Sequence, residues 1–370
     1  MKKLAIVVIS SILFLMMPQA TAANTVIRIT APVNQTFTGE FRNDDLAQRL
    51  TPSGDLGLKV FQPIAKNRTW VIDAALVDEV ILMSNQYALA TEAAPVGKEI
   101  AIAWLNQLKR VTASNEVIAL AYGNPDVALA KRLAPSELKT YFVYGQERLQ
   151  LALGRIVRSE PEVQWSVGKS GLSNPLRKSY SDNRKALTRL SRVVDTPELI
   201  HLRARLAQLL SPTLDKNSRQ YFSYSATAAV KEVVNKLRIN SGKYQITTSS
   251  VKLPVTVINE FDVDVTVDIA MIPISSRIFV SSFDNVVIPA RSKKQLEMQV
   301  DVIAPGQTTV SAMITGPEDD SEVVPPAILT LNSTVIDSRV TWLPLEQPYF
   351  SYWQLLHKVF AVSEGGISEN

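Results

Sequence analysis

Cysteine is absent from all 370 residues, and histidine occurs only at His201 and His357. The first absence excludes a disulfide framework and every thiolate metal site, so stability has to come from buried cores. The second leaves two imidazoles in different regions of the chain, which does not suit a zinc-dependent deacetylase or amidase. His201, within an amphipathic helical pattern, is expected to be a surface or packing residue. No G-x-S-x-G elbow or Gly-rich phosphate loop is present, and no histidine is placed to activate a serine. No metal or cofactor is therefore expected. Charge of one sign is scarce too: 39 Lys and Arg face 35 Asp and Glu, a net charge of +4. That balance is not the electrostatic footprint of a nucleic-acid binder.

The chain opens with Lys2 and Lys3, the apolar run "LAIVVISSILFLMM" and the small-residue site Ala20-Thr21-Ala22. This is the order of a secretory signal peptide over residues 1–22, cleaved after Ala22. The run is short for a membrane span, although left uncleaved it would tether the protein by its N-terminus. Export is expected, and the location is extracytoplasmic, in the envelope or secreted. Removing residues 1–22 takes away two lysines and no acid, which lowers the net charge from +4 to +2. At 46% apolar composition with 14 glycines, the remainder is large enough for about two cores.

Residues 23–66 read as a lead-in segment with one short strand in "NTVIRITAPV". From 67 to 240 the pattern alternates. "RTWVI" is a short buried strand followed by a helix, "GKEIAIAWLNQLKRV" is helical, and "EVIALAYGNPD" is a strand apolar on both faces. "TYFVYGQERLQLALGRIV" reads as strand then helix and "EVQWSVG" as a further strand, whereas residues 172–240 are helical. Strands alternating with helices predict a parallel sheet or a degenerate (β/α)-barrel-like domain.

Residues 243–340 are different. Val251, Leu253, Val255 and Val257 alternate with polar residues, and after "NEFD" Val263, Val265, Val267, Ile269 and Met271 repeat the pattern, as a hairpin would. Further alternating runs predict an immunoglobulin-like β-sandwich without the cysteine pair of antibody domains. In the tail, residues 341–370, Tyr349, Tyr352, Trp353, Leu356, Val359 and Phe360 share one helical face. The tail is too short and polar to span a bilayer. It suits a membrane interface, a partner's groove or docking on the protein's own core.

The succession "TWVIDAALVDEV", "IAWLNQL", "VIALAYGNPDVALAKR", "ITTSSVKLPVTVINEFDVDVTVDI" and "VIPARSKKQLEMQVDVIAPGQTTVSAMI" resembles the actinobacterial DUF6049 family of exported envelope proteins, over residues 60–168 and 243–340. The resemblance implies a degenerate sugar-hydrolase or deacetylase type of barrel followed by an Ig-like domain, usually membrane-tethered. It also implies a setting beside the lipid II flippase and hence in peptidoglycan or envelope assembly. The chain departs from the family in lacking its long N-terminal β region, in being shortened between 170 and 195, and in having no C-terminal transmembrane helix. Asn124 stands where the family motif has an aspartate.

In parallel α/β folds ligands sit at the carboxyl ends of strands, which points to Asp73, Tyr122, Asn124, Asp126 and Trp165. Asp73 and Asp126 could serve as the carboxylate pair of a divergent glycoside hydrolase, with Tyr122, Asn124 and Trp165 holding an envelope glycan. Both aspartates also stand where helix caps do. Residues 169–205 carry nine Lys or Arg, among them Arg177, Lys178, Arg184, Lys185, Arg189 and Arg192, against three acids. They could meet anionic headgroups, a membrane surface or a lipid-linked precursor, or form a solvated helix face. With no complete catalytic set, the leading expectation is a non-enzymatic binding or scaffold protein of the envelope.

Overall fold

The computed structural model describes residues 25–62, 68–317 and 319–334. Residues 1–22, read from the sequence as a signal peptide, and the aromatic tail, with His357, lie outside the described residues. Four strands, β1 (Thr25–Ile29), β2 (Arg68–Ile72), β3 (Glu116–Ala119) and β4 (Arg158–Ser159), form a parallel sheet in the order β1-β2-β3-β4. β2 lies inside this sheet with Trp70, Val71 and Ile72 fully buried, which explains that apolar run. Residues 23–66 are thus more than a lead-in. They supply edge strand β1, which pairs with β2 from Thr25↔Arg68 to Ile29↔Ile72, and helices α1 (Asp45–Leu50) and α2 (Asp55–Phe61).

Helices α3 (Ala74–Ser84), α4 (Lys98–Thr112), α5 (Val127–Leu133) and α6 (Pro135–Leu153) complete this region. "TYFVYG" is not a strand but the middle of α6. Pro135 sits in its first turn, and Tyr141, Phe142, Gly145, Leu149 and Ala152 fall at helical spacing on its buried side. Gly145 permits the close approach to the end of β3, because a Cβ there would lie 2.5 Å from the Leu120 carbonyl oxygen. The fourth strand is Arg158–Ser159, paired with Ile118 and Ala119, and "EVQWSVG" carries none. Arg158 forms ion pairs with Glu116 and Glu160 at this edge, and Trp165 covers Val71, Ile118 and Leu120 instead of entering the sheet.

Helices α7 (Asn174–Leu190), α8 (Pro197–Arg205) and α9 (Lys216–Asn235), with a 3₁₀ turn over Leu206–Leu210, follow as the sequence predicts. Thr196 caps α8 through Leu199 N, at 3.4 Å, and Asp215 caps α9.

Ten strands then build two facing sheets. One has the order β5 (Leu237–Ile239), β7 (Ser250–Asn259), β11 (Ser292–Val302), β9 (Ile278–Val280). The other has the order β10 (Phe283–Ile288), β8 (Val265–Pro273), β12 (Gly306–Gly316), β14 (Ala327–Ser333), β6 (Gly242–Ile246), with β13 (Asp319–Glu322) beside β12. This is the A-B-E-D and C-F-G pairing of an immunoglobulin-like sandwich, widened by β10 at one edge and by β6, parallel to β14, at the other.

The predicted hairpin is overturned. β7 pairs with β5 and β11 while β8 pairs with β10 and β12, so the two alternating runs belong to opposite sheets. Their apolar faces meet across the core, and Glu260–Asp264 crosses from one sheet to the other. The sandwich and helices α7–α9 share one continuous core, in which Leu187, Leu202, Phe222 and Val233 join Val257, Phe261 and Ile314. The parallel sheet packs around a separate core of Trp70, Trp104 and Tyr122. Among the described residues no helix is long and apolar enough to cross a membrane.

Candidate functional site

The chain places Asp73 directly after β2, and Tyr122, Asn124 and Asp126 in the segment after β3, all at the carboxyl end of the parallel sheet. Asp73 is 3% exposed and caps α3. Its Oδ1 accepts from Ala75 N at 3.0 Å and from Gly123 N at 2.9 Å. Burial pushes its carboxyl up to about 7, against the pull of those two hydrogen bonds. Asp126 is likewise a cap, accepting from Leu129 N at 3.1 Å through Oδ1 and from Ser170 N at 2.8 Å through Oδ2. Tyr122 is buried and donates to Asp78 Oδ2 at 3.0 Å. Asn124 has φ 44° and accepts from Ser166 Oγ at 2.7 Å. Trp165 donates to Glu160 Oε2 at 2.9 Å.

The two aspartates therefore share an end of the sheet but not a cleft. Asp73 faces a crevice with Pro32, Glu79, Gly123, Gln208 and Ser211, whereas Asn124, Trp165 and Ser166 line another. Each has a volume of about 10 Å³, room for a single water and not for a sugar ring. Asp126 lines neither. The plug is the 3₁₀ turn: Asp126 N donates to Leu210 O at 2.9 Å, and Gln208 lies against Gly123. Gly123 has φ 77°, and a Cβ there would lie 2.7 Å from Gln208 Cγ and 2.8 Å from Gln208 N. Gly123→Ala is expected to destabilise the fold by about 2 kcal/mol through left-handed strain and overpacking, read as a lower urea midpoint at unchanged slope.

Beneath these caps lies a buried ionic network whose residues no sequence motif singles out. Asp78 forms a bidentate pair with Arg148, with Nη2 at 2.8 Å and Nε at 3.0 Å. Glu79 accepts from Asn34 N at 3.1 Å and from Gln208 Nε2 at 3.3 Å, and burial pushes its carboxyl up to about 7 although Arg205 pulls it down. Arg205, also buried, donates to the carbonyls of Gln35 and Thr36 at 2.8 and 3.1 Å and lies over the Phe37 ring. His201 is indeed a packing residue, hydrogen-bonded through Nδ1 to Tyr144 Oη at 2.9 Å. Burial, with Arg205 and Arg148 nearby, pushes its imidazole down to about 4. A signal was available: "ALVDEVIL" sets two adjacent acids inside a helix apolar all round, and such acids need buried partners.

The basic cluster is spread along α7 and just beyond it. Arg177, Lys178, Lys185 and Arg192 are exposed, Arg184 and Arg189 half-buried. Lys178 pairs with Asp182 at 2.6 Å, and Arg192 donates to Ser321 Oγ at 2.6 Å. Among the described residues no group of three His, Asp or Glu is placed to hold a metal ion.

No curated protein matches the chain. Among solved structures, WR4 of Caenorhabditis elegans, an MSP family member, is 9% identical and covers 27% of this chain and 98% of its own, with a TM-score of 0.21. The E. coli chaperone DraB is 11% identical over 26% of this chain and 55% of its own, with a TM-score of 0.19. The CsuC–CsuE chaperone and tip adhesion subunit complex of Acinetobacter baumannii is 14% identical over 28% of this chain and 59% of the matched chain, with a TM-score of 0.21. The model of DUF6049, described as a family of unknown function, matches residues 78–339, well over half of the sequence, and the protein belongs to that family.

Proposed function

We propose that this protein is an exported, non-catalytic component of the cell envelope, in which a reduced α/β domain and an Ig-like sandwich hold an envelope glycan, a lipid-linked precursor or an envelope protein partner. The observation that carries the non-catalytic part is the plugged carboxyl end of the parallel sheet. Asp73 and Asp126 are both engaged as helix caps, and the crevice beside Asp73 has a volume of about 10 Å³. A glycosidase needs its two carboxyls about 5–10 Å apart across one cleft that admits the sugar. The consecutive strand order β1-β2-β3-β4 supports descent from a (β/α) barrel, since half of such a barrel has that order. The sandwich needs no catalytic residue to dock on a partner.

A second reading, a divergent glycoside hydrolase, draws on Asp73 alone, because a carboxyl pushed up to about 7 is the form a general acid requires. Incubating the purified exported chain with peptidoglycan sacculi separates the two. Co-sedimentation without release of muropeptides by mass spectrometry is expected. Release that disappears in Asp73→Asn would replace the scaffold by the hydrolase.

A further inference from the structure

Away from the sheet, the first turns of α7 and α9 enclose a pocket of about 610 Å³, within the range of small-molecule sites and far larger than the crevices beside Asp73 and Asn124. The two helices enter it side by side and are tied just beyond it by Thr227, which pairs with Ser179 Oγ at 3.1 Å and Asn183 Nδ2 at 3.0 Å. One wall is apolar, formed by Leu172, Pro175 and Leu176. The other carries Lys216 and Arg219, and the lining includes no acid.

Arg219 is 6% exposed. Its Nη atoms donate only to main-chain carbonyls, those of Gly171 at 2.6 Å, Ser211 at 2.7 Å and Leu214 at 2.9 Å, and its Nε–H is buried without an acceptor. The carboxylate that acts on it is Asp215, which stands outside the pocket wall and is engaged by Asn217 N, Ser218 N and Ser218 Oγ. A buried guanidinium held by carbonyls alone keeps most of its charge uncompensated. Ser173, the residue before α7, makes no side-chain cap bond, so the first-turn amides of Asn174 and Leu176 in that 17-residue helix, Pro175 having no N–H, add partial positive charge at the same mouth.

We propose that this pocket binds a phosphate monoester with an apolar body, the phosphate drawn in by the uncompensated charge of Arg219 and held by Lys216 and the start of α7, and the hydrocarbon lying on Leu172, Pro175 and Leu176. Cations converging with helix amides favour a dianion over a carboxylate. The apolar wall favours an amphiphile over free phosphate. The site is independent of whether the sheet's carboxyl end is catalytic.

Calorimetric titration of the full chain with hexyl phosphate tests the assignment, with hexanoate, hexanol and inorganic phosphate as the other arms. Saturable one-to-one binding of hexyl phosphate is expected, weaker binding of hexanoate and of inorganic phosphate, and none of hexanol. Lys216→Gln and Gln220→Glu change two exposed residues of the pocket lining. Each is expected to weaken hexyl phosphate about tenfold, as loss or opposition of one charge-assisted contact does. Hexanol binding as well as hexyl phosphate, hexanoate or inorganic phosphate equalling it, affinity unmoved in both variants, or no heat at millimolar hexyl phosphate would each overturn the proposal.

Discussion

Raising the pH from about 4.5 to about 7.5 is expected to lower the unfolding free energy by roughly 4 kcal/mol, with Asp73 and Glu79 as the main source. Both carboxyls are buried and pushed up to about 7, from ordinary values near 4, so the fold keeps them protonated where the unfolded chain has already released the protons. Their contribution is complete below the unfolded values and disappears as the pH passes through the folded ones. His201 acts in the opposite direction. Its imidazole is pushed down to about 4, so the unfolded chain binds a proton that the fold refuses, and stability rises with pH up to about 6.5. Two falling contributions against one rising one leave a net fall.

Asp73→Asn is expected to match the wild type near pH 4.5 and to exceed it near pH 8 by about 2 kcal/mol or more. The amide oxygen still accepts from Ala75 N and Gly123 N, and no charge is buried. Asp73→Ala is expected to lose about 3 kcal/mol near pH 4.5, because two buried N–H groups lose their acceptor, and clearly less near pH 8, where the wild type has itself lost the carboxyl's contribution. Urea titrations across this range check all three chains. A wild-type profile that rises over this range, as His201 alone would make it, would mean that the two carboxyls ionise as they do in water.

What the sequence reveals and what it conceals divides along physical lines. Strand β2 and the runs Val255–Val257 and Val265–Met271 were legible because burial on two faces, or on one, writes directly into hydrophobic period. The placement of Asp73 and Asp126 at strand ends was legible from chain order alone. "TYFVYG" was misread because a short apolar run fits a strand or a buried helix equally well, and here Pro135 and the spacing through Leu149 decide for the helix. The hairpin was misread because alternation says which side chains are buried but not which strand lies alongside. The plug was invisible for another reason. Gln208 and Leu210 lie far along the chain from Asp73, Gly123 and Asp126, and no local pattern encodes that meeting.

Asn259→Ala is expected to produce the largest single loss, about 4 kcal/mol, because this one side chain fixes the crossing between the two sheets. Asn259 is fully buried at the end of β7. Its Nδ2 donates to the carbonyls of Val263 at 2.9 Å, Ile288 at 3.1 Å and Pro289 at 3.1 Å, and its Oδ1 accepts from Phe261 N at 3.0 Å. Alanine leaves one buried N–H and three carbonyls without this partner, and each unsatisfied group costs about 1–3 kcal/mol. Asn259→Asp separates hydrogen bonding from packing. A carboxylate can still accept from Phe261 N but sets a negative charge against three carbonyl oxygens, so its deficit is expected to shrink as the pH falls and the carboxyl becomes a donor. Because Phe261 belongs to the core that α7–α9 share with the sandwich, and the Lys236 ammonium at the end of α9 lies 5.7 Å above its ring, the loss is expected in the helices as well as the strands. Circular dichroism in the helical band and near-ultraviolet signals should therefore move to a lower urea midpoint together. An Asn259→Ala protein within about 1 kcal/mol of the wild type, or strands that melt while α7–α9 persist, would show that the corner is held by packing alone.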